Sequence, residues 1–277
     1  MDEEWMRNPW LCWGFAPFVS ANVGYFGTVF FLEYLIRQGF MRSSMIEYGK
    51  SGDRPKAIEK THERFMDFKA QLKNAAWNML GPMAWINTLI LPIIVSWVLK
   101  REVTKRYPTK LEFLAHFALL ELVGDFFLYV GHRVQHEIPF LWEKCHSFHH
   151  SIDTPTPVST VCIDPTDASL QGGLPILGAC LVVNPHPITL SLYVMARLAE
   201  NVVNHSGVEN LFLNVLFLKV LPLRAPVSHH DSHHKFSNYG PHAKNYGENF
   251  IIWDYIFGTL KKTSTAPHKS RPNPKES

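Results

Sequence analysis

Residues 111–150 read LEFLAHFALLELVGDFFLYVGHRVQHEIPFLWEKCHSFHH. The opening stretch, Leu111–Val130, is predominantly apolar and has the length, about 20 residues, that crosses a bilayer as a helix. The stretch that follows, His132–His150, carries five histidines in nineteen residues. His132 and His136 are spaced i, i+4, so a helix continuing past the bilayer puts both imidazoles on one face. His146, His149 and His150 are spaced i, i+3, i+4, again read as one helical face, and His230, His233 and His234 repeat that pattern in SHHDSHH at 228–234. His205, in NVVNHSG, and His229 are further possible members. Pro139 reads as the break that lets the first two segments converge from different directions.

Neutral imidazole suits iron, zinc, copper and nickel. Eight or nine such ligands (His132, His136, His146, His149, His150, His205, His230, His233 and His234) exceed the needs of one ion and suit two, each with four or five imidazoles. A closed structural zinc site takes four ligands, commonly with cysteine. The four cysteines here are widely spaced, with no C-x-x-C, so zinc ribbons and thioredoxin chemistry are not expected. Cys145 is read as packing. His62, His186 and His268 read as surface or hydrogen-bonded core residues, His116 as a satisfied polar group in the span, and His242 stays ambiguous.

The rest of the chain supplies the surroundings. Apolar runs at Trp10–Ile36, Ala75–Leu99 and Leu170–Leu198 join Leu111–Val130 to make about four membrane-spanning or re-entrant helices. The last run is interrupted by NPHP at 184–187, giving two shorter helices or a hairpin. Residues 37–75, with nine Lys/Arg against five Asp/Glu, read as an exposed, partly helical connector. Positive-inside counting puts that connector in the cytosol, and the histidines with it. The expected fold is an all-α integral membrane protein with a cytosolic histidine-rich helical cap. Its expected divisions are 1–110 (membrane helices and connector), 111–260 (the histidine-bearing region, which the resemblance below makes the catalytic domain) and 261–277 (a basic, disordered tail). The acidic N-terminus gives no expectation of a cleaved signal, and a net charge of +3 points to no nucleic-acid partner. The acidic residues Asp125, Glu200, Asp231 and Asp254 are expected to orient ligand imidazoles by accepting their other ring N–H.

HRVQH, HSFHH and HHDSHH resemble the three histidine boxes of the fatty acid hydroxylase/sterol desaturase superfamily, from about Leu111 to Leu260. HPITLSLYVMARLAENVVNHSGVEN and WDYIFGTL are similar to the 4-methylsterol oxidases and cholesterol 25-hydroxylases. TPTPVST, DPTDASLQGGLP and NYGENFIIWD are similar to the sterol C-5 desaturases. The resemblance implies two iron ions, dioxygen as cosubstrate, residence in the endoplasmic reticulum and hydroxylation of an unactivated C–H of a sterol-like lipid. A desaturase, or a fatty acyl or sphingoid hydroxylase, on the same scaffold is the alternative. A membrane metal-binding or transport protein is the alternative from another class. Neither G-x-G-x-x-G nor a P-loop occurs, so electrons come from a separate donor, cytochrome b5 or an NAD(P)H-dependent reductase. The sequence departs from the superfamily at Asp164, where a histidine of a His-Pro-x-Glu/Asp motif is expected, and in the longer insert KFSNYGPHAKNYG at 235–247.

Overall fold

Thr109 starts the helix on which the fold turns. Its hydroxyl accepts the Glu112 N–H at 3.3 Å, and the Glu112 carboxylate accepts the Thr109 N–H at 2.7 Å. This reciprocal pair satisfies two of the donors a helix start leaves orphaned. In the computed structural model of the chain, which describes residues 8–46, 68–101, 106–152, 155–237 and 243–261, the helix runs unbroken over Lys110–Glu137. At 1.5 Å per residue its 28 residues reach about 42 Å, against a hydrocarbon core of about 30 Å. The last turns therefore stand beyond the bilayer and carry His132 and His136. The helix ends at Ile138, extended at φ −97°, ψ 113°, as a residue preceding proline must be.

The long helices are α1 (Ala16–Arg37), α2 (Phe68–Leu80), α3 (Pro82–Pro92), α4 (Lys110–Glu137), α5 (Leu174–Val183) and α6 (Pro187–His205). Four stretches are long and apolar enough to cross a membrane: Trp10–Arg37, Phe68–Val98, Lys110–Glu137 and Pro165–Val183. No strand occurs among the described residues, and the chain is an all-α integral membrane protein. The second span bends at Gly81, where Pro82 opens a new helix. The run Leu170–Leu198 is a helical hairpin. Asn184 turns left-handed at φ 51° to end α5, and the His186 imidazole accepts the Ile188 N–H at 3.2 Å to start α6.

Helix α6 lies along α1 so closely that a side chain at Gly24 would meet the Met195 carbonyl. Tyr25, Val29 and Leu32 of α1 share a buried apolar cluster with Val202 and Val203 of α6, at the histidine end of the bundle. A second cluster closes the opposite end, where Cys12 and Trp13 meet Leu91, Val95, Cys180 and Leu190. The directions of the helices follow from these contacts. Helices α1, α4 and α6 run toward the histidines, whereas α2 and Pro165–Val183 run away from them. His62, His242, His268, most of the 37–75 connector, part of the 235–247 insert and the basic tail fall outside the described residues. His116, expected to be satisfied, has its Nδ1 buried without a hydrogen-bond partner.

Candidate metal centre

Four pieces of chain bring the imidazoles together. The end of α4 supplies His132 and His136. After the break at Pro139, a wide turn at Trp142–His146 and the helical turn Ser147–His150 supply His146, His149 and His150. His205 closes α6, and α7 (Val227–Phe236) supplies His230, His233 and His234. None of the nine is more than 7% exposed. They fall into two groups in which one ring nitrogen from each member lies within 4.8 Å of all the others. His132, His136, His146, His150 and His233 form the larger group, and His149, His205, His230 and His234 the smaller.

This grouping divides each H-x-x-H-H stretch, which the spacing reads as one helical face. Each sends its i, i+4 pair to one group and its i+3 member to the other. A helix turns about 100° per residue, so i and i+4 are about 40° apart while i+3 and i+4 diverge by about 100°. His149 and His150 thus point into different groups, as do His233 and His234. The two centres are stitched together by both stretches.

The ring orientations are fixed from behind. His132 Nδ1 donates to the Tyr246 carbonyl at 2.9 Å, and His205 Nδ1 to the Asn201 carbonyl at 2.8 Å. His233 Nδ1 donates to the Lys244 carbonyl at 2.6 Å, and His146 Nδ1 to the Asp167 carboxylate at 2.9 Å. With Nδ1–H committed, Nε2 carries the lone pair in all four rings and is turned toward its group. Burial holds His146, His149, His150, His230, His233 and His234 well below the ordinary histidine range, reinforced by neighbouring imidazoles. Burial brings His205 down to about 4. The rings are therefore neutral at physiological pH, the form that binds a metal.

The nitrogens suit an ion between them. His132 Nε2, His146 Nε2 and both ring nitrogens of His234 are buried without a hydrogen-bond partner, a costly state for a polar atom. Neighbouring Nε2 atoms are 3.2 Å apart for His136–His150 and His150–His233, 3.3 Å for His149–His205 and 3.0 Å for His205–His230. Metal–imidazole bonds of about 2.1 Å at angles between octahedral and tetrahedral place adjacent nitrogens about 3.0–3.4 Å apart. An all-imidazole donor set without thiolate fits non-haem iron. All four cysteines are buried thiols outside any disulfide, and none joins either group.

The expected orienting acids fare differently. The partner found for His146 is Asp167, which also accepts from Gln135 and Gln171, both at 2.8 Å. Its neighbour Asp164, at the position where a histidine was expected, is a partly exposed helix cap accepting the Thr166 N–H at 2.8 Å. Asp125 has partners other than an imidazole. It accepts from Arg197 at 3.3 Å and from the backbone of Asn249 and Phe250, tying α4 to the 245–250 segment. Glu200 pairs with Arg224 at 2.6 Å and Lys219 at 2.8 Å. A carboxylate this deep in an apolar bundle needs a cation, and both found an Arg or Lys rather than a histidine. Asp231 is buried in α7 between the two groups' ligands. Asp254 takes up His229 Nε2 at 3.1 Å, which removes His229 from the centre, and accepts the Tyr246 N–H at 2.9 Å. It also accepts the Gly247 N–H at 2.8 Å, and through that Tyr246–Gly247 peptide it braces the carbonyl that holds His132. Burial would raise Asp254, but the His229 ring, Thr259 and the Gly247 N–H together bring it below the usual carboxylate range.

A cavity of about 430 Å³ leads from between the spans to this centre. Phe18, Met79, Met83, Leu128 and Leu198 are among its apolar lining, and His205, Asn201 and Glu248 form its inner end. His205 therefore belongs to both the cavity wall and the smaller imidazole group.

The fatty acid hydroxylase profile matches residues 117–259, every helix that carries one of the nine histidines. The chain belongs to the fatty acid hydroxylase family. It is 30% identical to methylsterol monooxygenase 2-2 of Arabidopsis thaliana over 89% of its own length and 88% of that protein's. It is 26% identical to methylsterol monooxygenase erg25B of Aspergillus fumigatus, covering 92% of this chain and 80% of the other. Very-long-chain aldehyde decarbonylase GL1-8 of Oryza sativa subsp. indica is 33% identical over 54% of each chain. No solved structure matches the chain. As a member of this family, with membrane helices and paired histidine groups, the chain is an oxidoreductase of the membrane. Covering 89–92% of the chain, the similarity to the methylsterol monooxygenases extends well before Leu111, beyond the region on which the sequence resemblance rested.

Proposed function

We propose that the chain is a monooxygenase holding one iron ion in each imidazole group and hydroxylating an unactivated C–H of a methylsterol-like lipid. The observation that carries this reading is the position of His205, at once a wall of the lipid-sized cavity and a member of the smaller group. An iron pair, when bound, supplies the dioxygen chemistry that no side chain can perform. The protein's own residues do the rest. The apolar lining of the cavity excludes water and accepts hydrocarbon from the bilayer, where such a substrate is concentrated. Asn22 Oδ1 and Asn201 Oδ1 are buried in the cavity wall without a partner. They are placed to accept a hydrogen bond from the single hydroxyl of a sterol and so to set which carbon lies near His205. Burial raises the Glu248 carboxyl to about 7, opposed by Arg197 and assisted by Asp125 and Glu200. Its Oε2, 3.7 Å from Arg197 Nη2, is suited to hold a proton at the inner end of the cavity.

A sterol is favoured over a fatty acyl or sphingoid substrate because similarity to the methylsterol monooxygenases spans nearly the whole chain, while similarity to the aldehyde decarbonylase spans about half. Electrons come from a separate donor such as cytochrome b5 or its reductase. The connector ends at Phe40–Ile46 and Phe68 lie at the histidine end, and the 37–75 stretch is basic, which supports a cytosolic active site, in the endoplasmic reticulum for a sterol enzyme. The test is turnover by purified, iron-loaded protein in lipid nanodiscs with a 4-methylsterol, dioxygen and a chemical or protein reductant. A product heavier by one oxygen supports hydroxylation. Loss of two hydrogens with no oxygen gained would establish a desaturase instead.

A further inference from the structure

The segment Leu211–Leu223, LFLNVLFLKVLPL, joins α6 to α7 and belongs to none of the four spans. Eight of its apolar side chains are between 50 and 73% exposed, among them Leu211, Leu216 and Leu221. Water would be a poor solvent for such a surface. Its one charge, Lys219, is turned inward. Nζ donates to Asn204 Oδ1 at 2.6 Å and the Ala225 carbonyl at 3.0 Å, and lies 2.8 Å from Glu200. The flanking charges are also drawn in. Glu209 accepts from Asn214 and the Ser228 N–H, and Arg224 pairs with Glu200.

Many of its backbone N–H groups are also satisfied from within. Phe212 N–H is capped by Asn210 Oδ1 at 2.9 Å. The N–H groups of Asn214, Phe217, Leu218, Lys219, Leu221 and Arg224 all donate to carbonyls within residues 210–221. To achieve this, Leu218 and Leu223 adopt positive φ, 54° and 67°, which non-glycine residues avoid. Internal satisfaction of these donors is what hydrocarbon demands and water does not.

The segment also sits at membrane depth. Leu213 is buried in the cluster with Tyr25, Val29 and Leu32 of the first span. Arg224 lies 3.8 Å from Glu121, eleven residues into α4 and so about 17 Å from its start. We infer that residues 211–223 form a re-entrant dip whose outer face is covered by lipid acyl chains, a fifth contact with the bilayer. Thirteen residues are too few to cross it, so the segment enters and returns on the histidine side. Through Lys219 and Asn204 it fixes the depth of the α6 end that carries His205.

The native cysteines are all buried, so a single introduced cysteine can be spin-labelled selectively. Leu211→Cys, Leu216→Cys and Leu221→Cys are compared with Lys144→Cys, at an exposed charged position beside the histidines, in phosphatidylcholine vesicles. Labels at the three leucines should be relaxed several-fold more by dioxygen than by an aqueous nickel chelate, with the reverse at Lys144. Three separate positions guard against one variant misfolding. Equal access of the nickel chelate at the leucine sites and at Lys144 would overturn the inference. Dipolar broadening between labels on different chains would also overturn it, by showing a second copy on that face.

Discussion

Asp167→Asn perturbs one atom of the larger imidazole group's support. Asp167 Oδ2 accepts His146 Nδ1–H at 2.9 Å, while Oδ1 accepts Gln135 and Gln171, each at 2.8 Å. A carboxylate serves all three donors because it only accepts. Asparagine has one oxygen. Turned one way, its NH₂ meets His146 Nδ1–H; turned the other, it meets both glutamine amides. The first orientation costs His146 the bond that fixes its tautomer; the second leaves the two glutamine amides facing a donor. A hydrogen bond to a charged group contributes about 1.5–3 kcal/mol, and about 1.4 kcal/mol is a factor of ten. Metal affinity at this group should therefore fall about 10–100-fold, the range expected when a ligand histidine loses its outer partner. The assay is competition between detergent-purified protein and a calibrated iron chelator, with total iron measured alongside turnover. One of two iron equivalents should be released at lower chelator concentration while the other, held by His149, His205, His230 and His234, is kept. Wild-type retention of both equivalents would show that Asp167 does not position His146.

His149→Ala and His150→Ala change neighbouring residues yet should deplete different sites. Each should lower iron content by about one equivalent, and their combination should remove both; identical spectroscopic signatures of the residual iron in the two variants would contradict the grouping. Gly24→Ala should push α1 from the Met195 carbonyl of α6 and cost roughly 1–3 kcal/mol, read as a lower melting temperature in detergent; an unchanged melting temperature would refute the close packing. The metal-free protein should weaken in acid. His205, held down to about 4 by burial, resists a proton that the unfolded chain takes up near 6.5, so the unfolded state binds more protons in that interval. Stability is fully present above about pH 6.5 and falls by about 3 kcal/mol on this residue's account as the pH drops to about 4. Denaturation midpoints that stay flat across that range would show that the ring is not buried and neutral.

Much of the architecture was legible because it depends on local spacing. The i, i+4 pair His132/His136 following an apolar run, and Pro139 after it, put two histidine-bearing segments on either side of a helix break, where the structure has one. The nine histidines named from the sequence are the nine that the structure gathers. Which group each enters was not legible, because that depends on the direction from which each helix approaches rather than on its own period. His230 was chosen over its neighbour His229 by the i, i+3, i+4 spacing, but the partner that takes up His229, Asp254, comes from a different element and was not legible. The acids were read less well. Asp125 and Glu200 lie in the right segments, but their cations, Arg197, Lys219 and Arg224, are 19–72 residues away in sequence and reach them only in the folded bundle. Departure from the family pattern drew attention to Asp164, whereas the acid that reaches a histidine is Asp167, three residues on and fully buried. The apolar segment 211–223 escaped notice because it is too short for a span and has a lysine in its middle; only the structure shows that lysine turned inward.

The central claim is that the five imidazoles of one group and the four of the other each hold an iron ion. It is tested most directly by measuring iron per chain in protein purified from iron-replete cells, with Mössbauer and X-ray absorption spectra of the same sample. The account predicts about two iron ions per chain, each surrounded by nitrogen donors at imidazole distances with no sulfur. One ion or none per chain, or a sulfur ligand from any of the four cysteines, would contradict it.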